Sequence, residues 1–245
     1  MREDCDCDCD DEVKAGARQV GRPSSAAAWV GDLRHLARPV VEGIDLDREV
    51  EVALGNPYSL AGPLLVAARL DGEGAGGGGM ARQGYDVPAV IRDEPRRYPD
   101  VFLWWGLVDE SLDVMRAFDV DGDGPIIPQD VCTTIEVWTE TELAALHALT
   151  NHAALMRRRD LEERIKRAVS WHIETTQPDN ATNHCWAVNT FLDAGSGVGS
   201  GAGTAEAMHF AETLVSNCLV QNAQPDFLSA WILLDAARFF AGRAH

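Results

Sequence analysis

Residues Val169 to Trp186 read VSWHIETTQPDNATNHCW, and residues Val215 to Trp231 read VSNCLVQNAQPDFLSAW. Both stretches begin Val-Ser, run apolar, reach Gln-Pro-Asp and close on a tryptophan. Self-similarity at a fixed offset marks a repeated structural unit. Proline lacks an N–H and stops a helix, and an aspartate just after it is a good first-turn cap. Each copy therefore reads as helix, turn, helix.

Working outward from these copies, the same grammar continues. Asp160 opens a helix with Leu161, Ile165, Val169 and Trp171 on its inner side, and Glu162 and Lys166 stand four apart on its outer side. Upstream, Thr139 and Glu142 in TETE read as a capping box before Leu143, Leu146, Leu149 and Leu155. Leu103, Leu107, Val108, Leu112, Met115 and Phe118 predict one amphipathic helix over residues 101–118. Downstream, a helix from about Asn183 to Asp193 precedes the glycine-rich AGSGVGSGAG. Thr204 then caps Ala205 to Gln221, and Asp226 opens a last helix through Phe240. The predicted fold class is mainly α: antiparallel helical hairpins sharing one core over residues 101–245.

The first hundred residues read differently. Residues 1–25 begin MREDCDCDCDDE, an acidic Cys/Asp tail expected to be solvated and disordered. Residues 26–100 are expected to be an irregular Gly/Pro-rich extension. It holds a short helix over Ala26 to Leu36, and apolar runs Val50 to Leu54 and Leu64 to Leu70 that suit either strands or short helices. DGEGAGGGG at 71–79 reads as a flexible connector.

Asp and Glu number 39 against 21 Lys and Arg, a formal charge of -18. That balance opposes attraction to nucleic acid or to an anionic membrane surface. No apolar run approaches the roughly 20 residues that span a bilayer. Six cysteines without a CxxC suggest reduced thiols. The composition fits a soluble cytoplasmic protein.

Asp119, Asp121, Asp123, Gly124 and Asp130 occupy positions 1, 3, 5, 6 and 12 of a calcium loop, with Ile126 at the apolar position 8. Hard oxygen ligands around a sharp glycine turn are what calcium requires. The stretch resembles an EF-hand loop, and the resemblance implies Ca²⁺ held by Asp119, Asp121, Asp123 and Asp130. It departs from the pattern in carrying Asp rather than Glu at position 12, Ile127 at position 9, two prolines, and no paired second loop.

The glutamine and tryptophan of each copy resemble the repeats of the terpenoid cyclase and protein prenyltransferase superfamily. That resemblance implies a partial α/α toroid in which Gln177 with Trp186, and Gln224 with Trp231, tie helix ends together. Asp119, Asp121 and Asp123, interleaved with Val120 and Gly122, do not make the Asp-x-Asp-Asp of the protonating cyclases, and the Asp-Asp-x-x-Asp of the ionising class is not found. The prenyltransferase zinc chemistry would draw on Asp179, His184, Cys185 and His209, but adjacent His184 and Cys185 diverge on a helix. His172, with Glu174 nearby, is a candidate base without a nucleophile at defined spacing. The favoured expectation is a non-catalytic helical repeat domain. It binds a protein partner or small ligand through helix-end loops, with Gln177, Asp179, Asn180, Asn183 and His184 as contacts. The alternatives are a cyclase- or prenyltransferase-like enzyme and a calcium-binding module.

Overall fold

Thr134, Asp45 and Asp226 mark where helices begin, because each turns its side chain back onto a free backbone N–H two or three residues on. The computed structural model describes residues 26–70, 85–132, 134–176, 182–196, 202–220 and 223–243. The acidic tail, the 71–79 connector, and Gln177, Asp179 and Asn180 lie outside the described residues. Among the described residues the chain is helical with no strand. The helices are α1 Ala26–Val41, α2 Leu46–Leu54, α3 Ala61–Leu70, α4 Ala89–Asp93 and α5 Pro99–Gly106. They continue as α6 Ile135–Met156, α7 Arg159–Thr175, α8 Val188–Ser196, α9 Ala202–Asn217 and α10 Phe227–Arg243. Two 3₁₀ turns, Val114–Ala117 and Gln129–Val131, lie between α5 and α6.

Helix α6 runs through the centre. Trp138, Leu143, Leu146 and Leu149 on it are buried, and it packs against α5, α7 and α8. Neighbours in sequence pair as α2 with α3, α6 with α7, and α8 with α9. The most extensive contact joins the two ends of the described chain, α1 against α10. Trp29, Leu33 and Ala37, four residues apart, form the buried stripe of α1.

Three expectations change here. Residues 26–70 are not an irregular extension: they form α1 to α3, and Leu46, Val50, Leu64, Leu65 and Val66 are buried in the common core. The stripe on α1 is short, and its burial depends on α10, a partner far away in sequence. The single helix expected over 101–118 ends at Gly106. Asp109 and Asp113 accept the N–H groups of Ser111 and Met115, local bonds that compete with a continuing helix. Gly106 also permits a close fold-back, since a Cβ there would lie 2.5 Å from Val114 Cγ1. Finally, α6 begins ahead of the TETE segment. Thr134 Oγ1 accepts the Val137 N–H, Thr139 donates to the Ile135 carbonyl, and Glu142 points into the core.

Candidate functional site

The acidic loop is organised around two arginines of α7. Arg164 is completely buried, and its guanidinium donates to the carbonyls of Asp119 (2.8 Å), Gly124 (2.9 Å) and Pro125 (2.6 Å). Arg167 donates to the carbonyls of Gly122 (3.1 Å) and Val120 (2.8 Å) and pairs with Asp123 at 3.3 Å. Five carbonyls of residues 119–125 thus converge on fixed positive charge. Burial pulls the Arg164 pKa below its ordinary value, and neighbouring Glu142, Asp119 and Asp123 act in the opposite direction. On the far side of the loop, the Glu142 carboxylate accepts the Ile126 and Ile127 N–H groups at 2.7 and 2.6 Å. It also pairs with His172 Nε2 at 3.1 Å. Trp138 Nε1 donates to the Ile127 carbonyl at 2.9 Å.

The four aspartates named for calcium are exposed. Asp119 Oδ1 accepts the Asp121 N–H, Asp123 faces Arg167, and Asp130 sits in the second 3₁₀ turn. No three His, Cys, Asp or Glu side chains gather as a metal shell among the described residues. His172 turns to Glu142 and the Thr176 hydroxyl, not to Glu174, which is exposed. The expected Glu162–Lys166 pair is replaced by Lys166 with Glu163 at 2.7 Å.

A second polar array lies at the packing of α6, α8 and α10. Asp235 of α10 has only 10% of its side chain exposed. It accepts from His147 Nε2 (3.1 Å), Asn151 Nδ2 (2.7 Å) and Arg238 (3.3 Å). Burial pushes the Asp235 carboxyl pKa up, but the bonds from His147 and Asn151 and the Arg238 charge outweigh it, so the net shift is downward. The carboxylate is therefore charged. His147 Nδ1 accepts the Ala187 N–H at 3.1 Å, so the ring proton sits on Nε2, facing Asp235. Trp104 and Trp186 box the imidazole with ring centroids 5.5 and 5.9 Å away. Asn189 extends the array by donating to Asn151 Oδ1 at 3.1 Å.

Asp235, Asn151 and Arg238 open onto a cavity of about 490 Å³ between α3, α6 and α10. Leu70, Leu107, Ala154 and Phe239 form apolar walls, and Arg157, with no ion-pair partner among the described residues, stands among its lining residues. Volume, apolar walls and a few converging polar groups are the usual make-up of a small-molecule site.

Of the helix-end residues named from sequence, only Asn183 and His184 are described. Their N–H groups face Glu140 Oε1 at 2.7 and 3.4 Å, and the His184 ring lies between Glu140 (3.3 Å) and Asp226 (3.6 Å). Burial lowers the His184 pKa, yet Glu140 and Asp226 together raise it above the ordinary value. Gln224 is exposed, and the buried Trp231 indole N–H has no partner, so the implied Gln–Trp tie is not made there. Cys185 is buried against the Ser229 carbonyl and His209 is exposed, so neither joins His184 at a common point.

Comparison with protein-family models, curated proteins and solved structures returned no match. Among the described residues, no helix is long and apolar enough to cross a membrane. His147 and Asp235 escaped the sequence reading because each is a single ionisable residue in an apolar helix, in ALHAL and LLDAA. That intrusion of one ionisable group into a core-facing run was the available signal.

Proposed function

We propose that this protein is a non-catalytic helical domain that binds a small amphipathic molecule in the cavity between α3, α6 and α10. One observation carries the reading. The His147–Asp235 pair has the look of a catalytic dyad, but His147 Nδ1, the nitrogen a general base would use, is taken by the Ala187 N–H. His172 is likewise committed on both nitrogens, and His152 gives Nε2 to the Leu103 carbonyl at 2.8 Å. The array holds a charged carboxylate in place beside an apolar cavity. That suits recognition of a hydroxyl donor on an otherwise apolar ligand, while Arg157, Arg238 and Arg243 on the same lining disfavour an ammonium. The helix-end loop around Asn183 and His184 is a second contact surface in the same reading.

The test uses hexyl to decyl alcohols, amines and carboxylic acids as probes, followed by thermal melting. A ligand at about 100 times its Kd adds roughly 2.7 kcal/mol. For a chain of this size that is about 5–10 °C in Tm. The alcohols raise Tm more than the amines, and Ala154→Leu, which fills the cavity, abolishes the rise. Failure of every probe, or a rise that survives Ala154→Leu, refutes the reading. Turnover of farnesyl diphosphate by the unmodified protein would favour the enzyme alternative instead.

A further inference from the structure

A second cavity lies at the other side of α10, between α10 and the end of α1. It encloses about 990 Å³, and its lining includes Arg34, His35, Arg38, Glu42, Trp231 and Leu234. Arg34 and Arg38 are four apart, so they share one face of α1. Both are exposed, and neither has an ion-pair partner among the described residues. In a chain of net charge -18, two neighbouring guanidiniums that make no ion pair among the described residues, even with Glu42 and Asp45 on the same lining, are conspicuous. Trp231 adds an independent sign. Its side chain is 3% exposed, and its indole N–H is a donor without an acceptor. A buried donor without a partner costs about 1–3 kcal/mol.

We infer that this cavity binds a hydroxylated phosphomonoester, the phosphoryl group held by Arg34 and Arg38. Guanidinium forks match phosphate oxygens in pairs, and an oxyanion in the cavity answers the donor excess on the α1 wall. Glu42, on the same lining, is an acceptor and selects hydroxyl groups on the rest of the ligand. Asp45, also on the lining, caps α2 by accepting the Arg48 N–H on Oδ1 and, among the described residues, makes no ion pair with either arginine. The volume accommodates a sugar-phosphate-sized molecule. Because the chain as a whole repels anions, binding depends on these local contacts and weakens with salt.

The experiment is a titration of the full chain with glycerol phosphate and, separately, inorganic phosphate, read by calorimetry and by the indole N–H resonances. Saturable binding, with the Trp231 resonance moving, is expected for glycerol phosphate. Inorganic phosphate is expected to bind more weakly. The double variant Arg34→Ala/Arg38→Ala, at exposed positions outside the core, is expected to keep its Tm and weaken binding at least tenfold. No saturation by 10-fold molar excess at millimolar concentration overturns the inference, as does equal affinity in the double variant. Equal or tighter binding of inorganic phosphate overturns the ester while leaving the two arginines as the oxyanion contact. Neither titration depends on the cavity between α3, α6 and α10, so the two readings stand or fall separately.

Discussion

Replacing Arg164 with alanine removes the group on which residues 119–125 are built. Three carbonyls lose a charged donor at 2.6–2.9 Å, and Glu142 loses a favourable neighbouring charge. Hydrogen bonds to charged groups contribute about 1.5–3 kcal/mol each, though bonds made by one side chain do not add. Deleting a fully buried side chain also leaves a void. The expected loss is therefore on the order of 4 kcal/mol, a large fraction of the 5–15 kcal/mol typical of a domain. Urea denaturation of the two proteins measures it, with the slope checked for constancy. Arg167→Ala serves as the control. That side chain is 36% exposed, so solvent screens its pair with Asp123 and offers water in place of its bonds to the Gly122 and Val120 carbonyls, and the expected loss is smaller, about 1–2 kcal/mol. If Arg164→Ala costs less than about 1 kcal/mol, or no more than Arg167→Ala, the loop is not organised by the buried guanidinium.

Other outcomes follow from the same geometry. Since the Pro125 carbonyl at position 7 of the loop already accepts from Arg164, and Asp123 already pairs with Arg167, millimolar calcium is expected to move the wild-type Tm by no more than about 1 °C; a saturable rise would show the ion displacing the arginines. His152 is buried, and desolvation drives its pKa from 6.5 to about 4 despite the Leu103 carbonyl. Its folded pKa lies below its unfolded one, so the unfolded state binds more protons between these values. Stability falls as pH drops from about 6.5 to 4, by roughly 3 kcal/mol in all. His152→Gln should flatten that slope in denaturation curves at pH 7 and 4.5. His184 works with the opposite sign: its raised pKa contributes stability below pH 6.5 that is lost as pH rises through the folded value, and Glu140→Gln should reduce it. Gly106→Ala places a methyl 2.5 Å from Val114 and 3.1 Å from the His152 ring, and is expected to cost about 1–3 kcal/mol in thermal melts.

The helices that the sequence made legible are those with long, regular apolar spacing and a clear start. Asp226 caps α10 as its position after Pro225 implied, and α7 carries the Leu161 and Val169 face that the spacing predicted. Local rules failed where distant residues decided the outcome. The stripe of α1 gains meaning only against α10, and Glu142 looks like a cap until the amides of Ile126 and Ile127 are seen beside it. The aspartates at 119–130 were visible in the chain, but the arginines facing them, some 40 residues later, carried no sign of that role. The same holds for Asp235, whose partners His147 and Asn151 lie on a different helix.

The pairing of α1 with α10 has a consequence for synthesis. The first described helix must wait for the last before Trp29, Leu33 and Ala37 are covered, and residues 42–226 are made in between. At ribosomal rates that wait is on the order of ten seconds or more. During it, a tryptophan-bearing apolar stripe is open to water and to other nascent chains. Release of α10 from the ribosome, rather than formation of α1, is then the event that commits the fold, and a chain shortened before Phe227 would leave that stripe permanently uncovered.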